Sequence, residues 1–94
     1  MQRSLELLDA ALRLEPLPYW YKELGLQRST LTKARERGNL SPAVAGALAE
    51  KLGENVDRWI AIAALEGEKD SACKERMLKR YRRVERAMGI EPTS

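Results

Sequence analysis

Helix-breaking residues recur at short intervals along this chain: Pro16 and Pro18, Gly25, Gly38, Pro42, Gly53 and Gly67. No long element fits between them. The intervening segments are rich in Leu and Ala, sparse in β-branched residues, and nowhere alternate with period two, so they read as helices and not strands. A helix this short is not stable alone in water and must bury one face against others. The chain has 94 residues, which makes one domain the default and a single core feasible but small. Phe is absent, and two Trp and three Tyr are the only large rings, so Leu, Ala, Ile and Val must fill the core. The expected fold is all-α: a compact bundle of about five short helices containing a helix-turn-helix, followed by a C-terminal basic amphipathic helix.

The punctuation places each element. Ser4 is a cap candidate for a first helix with Leu5, Leu8, Ala11 and Leu12 on one stripe. "EPLP" ends it, and a second short helix runs from about Pro18 to Leu24, stopped by Gly25. The third spans Arg28 to about Arg37 and ends at Gly38. Ser41 followed by Pro42 is a strong start signal for a fourth, with Val44, Leu48 and Leu52 spaced four apart and Gly53 after it. Asn55 or Asp57 starts a fifth helix carrying Val56, Trp59, Ile60 and Ala63, ended by Gly67. After the polar connector "GEKDS", a last pattern runs from Ala72 to about Met88, with "GIEPTS" as a frayed tail. Residues 1–70 are thus read as the main domain, 71–88 as the C-terminal helix and 89–94 as a flexible tail.

Composition excludes several classes of function. There is no His and only one Cys, so Ser–His and Cys–His nucleophile pairs are absent and a structural zinc site is not expected. The acidic residues match no catalytic or metal motif, and no Gly-rich phosphate loop is present. No enzyme activity, cofactor, metal or small-molecule ligand is expected. No apolar run approaches the roughly 18 residues of a membrane span, and no secretory signal is visible, so a cytoplasmic protein without a membrane partner is expected. Charge is unevenly placed. Residues 1–73 hold 10 basic and 11 acidic side chains, whereas 74–86, "KERMLKRYRRVER", hold 7 basic and 2 acidic.

The stretch "LGLQRSTLTKARERG" concentrates the functional signal. A short helix, a turn of about three residues around Gly25 and a second short helix form a helix-turn-helix. Leu24, Leu26 and Leu31 turn inward on this reading. Gln27, Arg28, Ser29, Thr32 and Lys33 are left outside, near the helix N-terminus that enters the major groove in this motif. The longer run from Leu24 to Lys69 resembles the lambda-repressor-like (Cro and XRE type) helix-turn-helix family of small phage and bacterial regulators. It carries that family's turn pattern and its "S-x-x-x-A-x-x-LA-x-x-x-G" fourth helix. The resemblance covers about residues 4–70 and implies a five-helix bundle that binds double-stranded DNA, usually as a homodimer, in a transcription regulator of repressor type. Tyr21 stands where the family usually has a small residue, Ala34 where it often has a bulky one, and Gln27 where it has a capping Ser or Thr.

The expected DNA-binding residues are Gln27, Arg28, Ser29, Thr30, Thr32, Lys33, Arg35 and Arg37. Arg28 suits a guanine edge and Gln27 an adenine edge, each through two hydrogen bonds. Lys33 suits a phosphate. Arg35 and Arg37 could reach phosphates or offset the negative helix end. Trp59, Met77, Tyr81, Val84 and Met88 are the expected contacts between copies, Trp59 being equally a core candidate. Three roles stay open for the C-terminal helix: packing on a partner helix, lying along phosphates, or remaining a solvated tail. The alternative function is an all-helical protein–protein interaction module, an antitoxin or adaptor, working through that helix.

Overall fold

The computed structural model describes the backbone of residues 3–87 and the side chains of residues 3–83. Among these are six helices and no strand: α1 (Ser4–Leu14), α2 (Leu17–Leu24), α3 (Arg28–Arg37), α4 (Pro42–Leu52), α5 (Val56–Gly67) and α6 (Ala72–Ala87). Met88 and the proposed tail 89–94 lie outside the described residues.

Three glycines end helices with positive φ, Gly25 at 66°, Gly38 at 95° and Gly53 at 72°, a conformation that costs other residues more. Ser41 caps α4 by accepting from the Val44 N–H, and Asn55 caps α5 by accepting from the Arg58 N–H. The cap of α1 differs from expectation. Arg3 occupies that position and makes no side-chain cap bond. Ser4 is the first helical residue, fully buried, and its Oγ accepts from the Leu40 N–H at 2.9 Å. The α1 N-terminus is capped instead from α5: the Ser4 N–H donates to Glu66 Oε1 at 3.0 Å. A carboxylate there also suits the positive end of the helix.

The core is formed by Leu7, Leu8 and Ala11 of α1, Trp20 of α2, Leu31 and Ala34 of α3, Leu40, Ala45, Leu48 and Ala49 around α4, and Trp59, Ile62 and Ala63 of α5. The stripes are rotated slightly from those read by spacing. Leu5, Leu12, Val44 and Leu52 are only half-buried, and Leu7 and Ile62 take the deep positions. Ile60 is 37% exposed, with its Cγ1 and Cδ1 lying against α4 at Gly46. Lys51 of α4 pairs with Glu23 of α2 at 3.0 Å. The Glu23 hydrogen bond, then its charge, raises the Lys51 ammonium above the usual lysine range. What this exposed clip contributes is therefore present at neutral pH and lost only as pH rises through that raised value; such pairs contribute little.

Gly46 lets α4 and α5 approach closely. A Cβ there would lie 2.8 Å from Ile60 Cγ1 and 2.9 Å from Cδ1. Ile is stiff at χ1 in a helix and does not swing aside cheaply. Gly46→Ala gains up to about 1 kcal/mol of helix propensity but overpacks at a cost of about 1–3 kcal/mol. Chemical denaturation should show a net loss, and Gly46→Ala in an Ile60→Ala background should show a gain. A Gly46→Ala single variant more stable than the parent would contradict this packing.

Candidate nucleic-acid interface

The turn between α2 and α3 is Gly25-Leu26-Gln27. The Gly25 N–H donates to the Lys22 carbonyl and the Leu26 N–H to the Tyr21 carbonyl at 2.8 Å, closing α2 tightly. Leu26 and Leu24 are half-buried against the core, as is Tyr21. The larger residue at position 21 is accommodated at the core's edge. Trp20 beside it is buried, and its indole N–H donates to the carbonyls of Ala11 and Glu15, tying α2 to the end of α1. Gln27 sits at the N-cap of α3 without a side-chain cap bond, so its amide stays available.

α3 is seated by one narrow strip. Leu31 and Ala34 are buried, and Thr30 is half-buried beside them. Every other side chain from Arg28 to Arg37 is exposed. Ser29, Thr32 and Lys33 occupy the side away from Leu31 and Ala34, with Arg28 on its flank at the N-terminal end. Among the described residues none of these four, nor Gln27, has a side-chain hydrogen bond or ion pair. The C-terminal half is different. Arg35 Nη2 donates to Asp9 Oδ1 of α1 at 2.7 Å, and Arg37 Nη2 donates to the Asn39 carbonyl at 3.1 Å. The first is an exposed pair between α3 and α1, and the second a local contact to the loop that follows α3.

Spacing did not single out Glu36, which is exposed one turn beyond Thr32 and Lys33 on the same outward side. Its i+3 and i+4 relation to those residues is the signal that places it there. It puts a negative charge at the far edge of an otherwise cationic surface.

The residues expected between copies separate. Trp59 is 2% exposed within the chain's own core, so it is not available to a second copy. Its ring lies 5.2 Å from the Arg58 guanidinium. Tyr81 is half-buried on α5, with its hydroxyl donating to the Arg58 carbonyl at 3.2 Å. Met77 is 42% exposed and lines an open groove of about 330 Å³ with Ala61, Ala64, Leu65, Arg80 and Tyr81. The Val84 side chain and Met88 lie outside the described residues. No helix among the described residues is long and apolar enough to cross a membrane.

No protein-family model, no curated protein and no solved structure matches this chain.

Proposed function

We propose that this protein is a sequence-reading regulator that binds double-stranded DNA, placing the N-terminal half of α3 in the major groove. One observation carries the reading. Gln27 and Arg28 at the N-terminal end of α3, and Ser29, Thr32 and Lys33 on its outer side, stand exposed and uncommitted, while Leu31 and Ala34 seat the helix. Polar side chains of this kind match the edges that base pairs present in a groove wide enough for a helix. Arg28 donates to O6 and N7 of a guanine, Gln27 pairs with an adenine edge, and Lys33 neutralises a phosphate. Ser29, Thr30 and Thr32 line the same end. Arg35 and Arg37, at the far end of the helix, each use Nη2 on Asp9 and Asn39 and keep their other donors for phosphates. The resemblance to lambda-repressor-like regulators supports the same reading and implies a homodimer. Two copies would read half-sites about 34–36 Å apart.

The test is selection of bound duplexes from a random library, followed by two variants. Arg28→Ala should cost about 1–3 kcal/mol and relax preference at one base position; Lys33→Ala should weaken all sequences alike and lower the salt slope by about one. An enriched inverted repeat would establish the dimer. If Arg28→Ala leaves affinity and preference intact, α3 is not the reading helix.

A second reading, a protein-interaction module, has its own support in the apolar groove between α5 and α6. It requires that Arg28→Ala be silent and that removal of residues 72–94 abolish activity.

A further inference from the structure

The duplex-binding reading leaves α6 without a role. Its side chains divide sharply. Lys74, Leu78 and Tyr81 form one edge, partly buried: Tyr81 packs against the core, and the Lys74 ammonium donates to the Glu68 carbonyl at 2.9 Å. Arg76, Lys79, Arg80 and Arg83 follow at i, i+3, i+4 and i+7, so they share the face opposite that edge. All four are exposed, as is Arg82 beside them. Among the described residues, Lys74 is the cation of α6 with a carboxylate partner, Asp70 at 3.5 Å; the four on the outer face have none. Glu75, the exposed acidic residue of the first turn, stands four residues before Lys79 and so borders that face.

We infer that the outer face of α6 is a second, sequence-blind contact surface for the phosphate backbone of duplex DNA, separate from α3. Four cations in two rows extend over about 10.5 Å of helix, at the 1.5 Å rise of each residue. Three of them are arginines, whose planar forks suit phosphate oxygens. A duplex carries one charge per about 1.7 Å of its axis, so a cationic ridge of this length meets several phosphates at once. The orientation of α6 selects this partner over a lipid surface. A helix that lies on a membrane buries its apolar side in the lipid, whereas here Tyr81 packs on the core and Leu78 is half-buried beside Arg3, Gly38 and Asn39; Met77 is the large apolar side chain of α6 left exposed among the described residues, and Arg76, Lys79 and Arg83 turn outward. The inference rests on the duplex reading only for the identity of the polyanion. It assigns to α6 the salt-sensitive part of binding and leaves discrimination among sequences to α3.

The experiment measures affinity of the full chain against salt, on a random-sequence duplex and on any selected sequence. The variant Arg76→Ala/Lys79→Ala/Arg83→Ala removes three exposed cations and substitutes the best helix former; unchanged helicity and melting show that it folds. Three lost phosphate contacts should lower the slope of log K against log salt by about 2.7 on both duplexes. Between 50 and 200 mM salt the variant should therefore lose about 40-fold less affinity than the parent. Base preference should not change. Arg76→Lys/Arg83→Lys keeps the charge and should keep the slope. An unchanged slope in the alanine variant overturns the inference, as does binding to vesicles of anionic lipid in place of duplexes. The two readings fail separately: a lowered slope without any enriched sequence removes the α3 assignment and leaves α6 standing, and an enriched sequence with an unchanged slope does the reverse.

Discussion

Trp20→Ala should unfold much of this protein's stability margin. The side chain is 4% exposed, and its indole N–H bridges the Ala11 and Glu15 carbonyls at 3.0 and 3.1 Å. Ala11 lies in the last turn of α1, where its carbonyl also accepts from the Glu15 N–H, and Glu15 follows the helix directly. Tyr19 meets the ring edge-on with centroids 4.9 Å apart. Removing a buried ring of this size costs about 3–5 kcal/mol, against the roughly 5–15 kcal/mol that holds a small domain together. At about 4–8 °C per kcal/mol, the melting temperature should fall by at least about 12 °C. Trp20→Phe separates the two contributions. It keeps most of the apolar surface and deletes the donor; the Ala11 carbonyl keeps the Glu15 N–H and Glu15 is exposed, so the change should cost only about 0.5–1.5 kcal/mol, the net worth of a typical hydrogen bond. Thermal melting of both variants gives the comparison. A Trp20→Ala loss no larger than that of Trp20→Phe would mean that the hydrogen bonds, not the packing, join α2 to α1.

That joint marks a boundary in what the sequence makes legible. Pro, Gly, Ser41 and Asn55 act on their own neighbours, so the limits of α3 and α4, the glycine stops and two caps follow from local chemistry. The polar face of α3 is equally readable, because Leu31 and Ala34 fix which side is turned inward. Long-range pairing is not legible in this way. Nothing near Ser4 announces that Glu66, 62 residues away, will cap α1, or that the Ser4 hydroxyl will serve Leu40. The same holds for Asp9 and Arg35, whose exposed ion pair joins α1 to α3. The apolar stripe of α6 suggests a partner helix equally well in another copy or in the same chain. Tyr81 settles on α5 of its own chain.

Leu31→Ala should act on function beyond its effect on global stability. Leu31 is 1% exposed and is the large side chain that seats α3; Ala34 is the other buried residue of that helix. No side chain caps the α3 N-terminus. Ten residues of helix are marginal when unsupported. Truncating a buried Leu costs about 2–5 kcal/mol, and here the loss falls on an element with little else to hold it. Leu48→Ala is the control. Leu48 is fully buried too, but it sits in α4 with Ala45, Gly46 and Ala49 buried around it. Both variants should melt earlier by similar amounts. Amide exchange should differ: in Leu31→Ala the α3 amides open locally while α4 and α5 keep the protection set by global unfolding. On the proposed reading, duplex affinity measured below both melting transitions should then drop in Leu31→Ala and hold in Leu48→Ala, because a helix must be formed before it can enter a groove. Equal losses in the two variants would show that α3 has no independent opening, and that its geometry is maintained by the bundle as a whole.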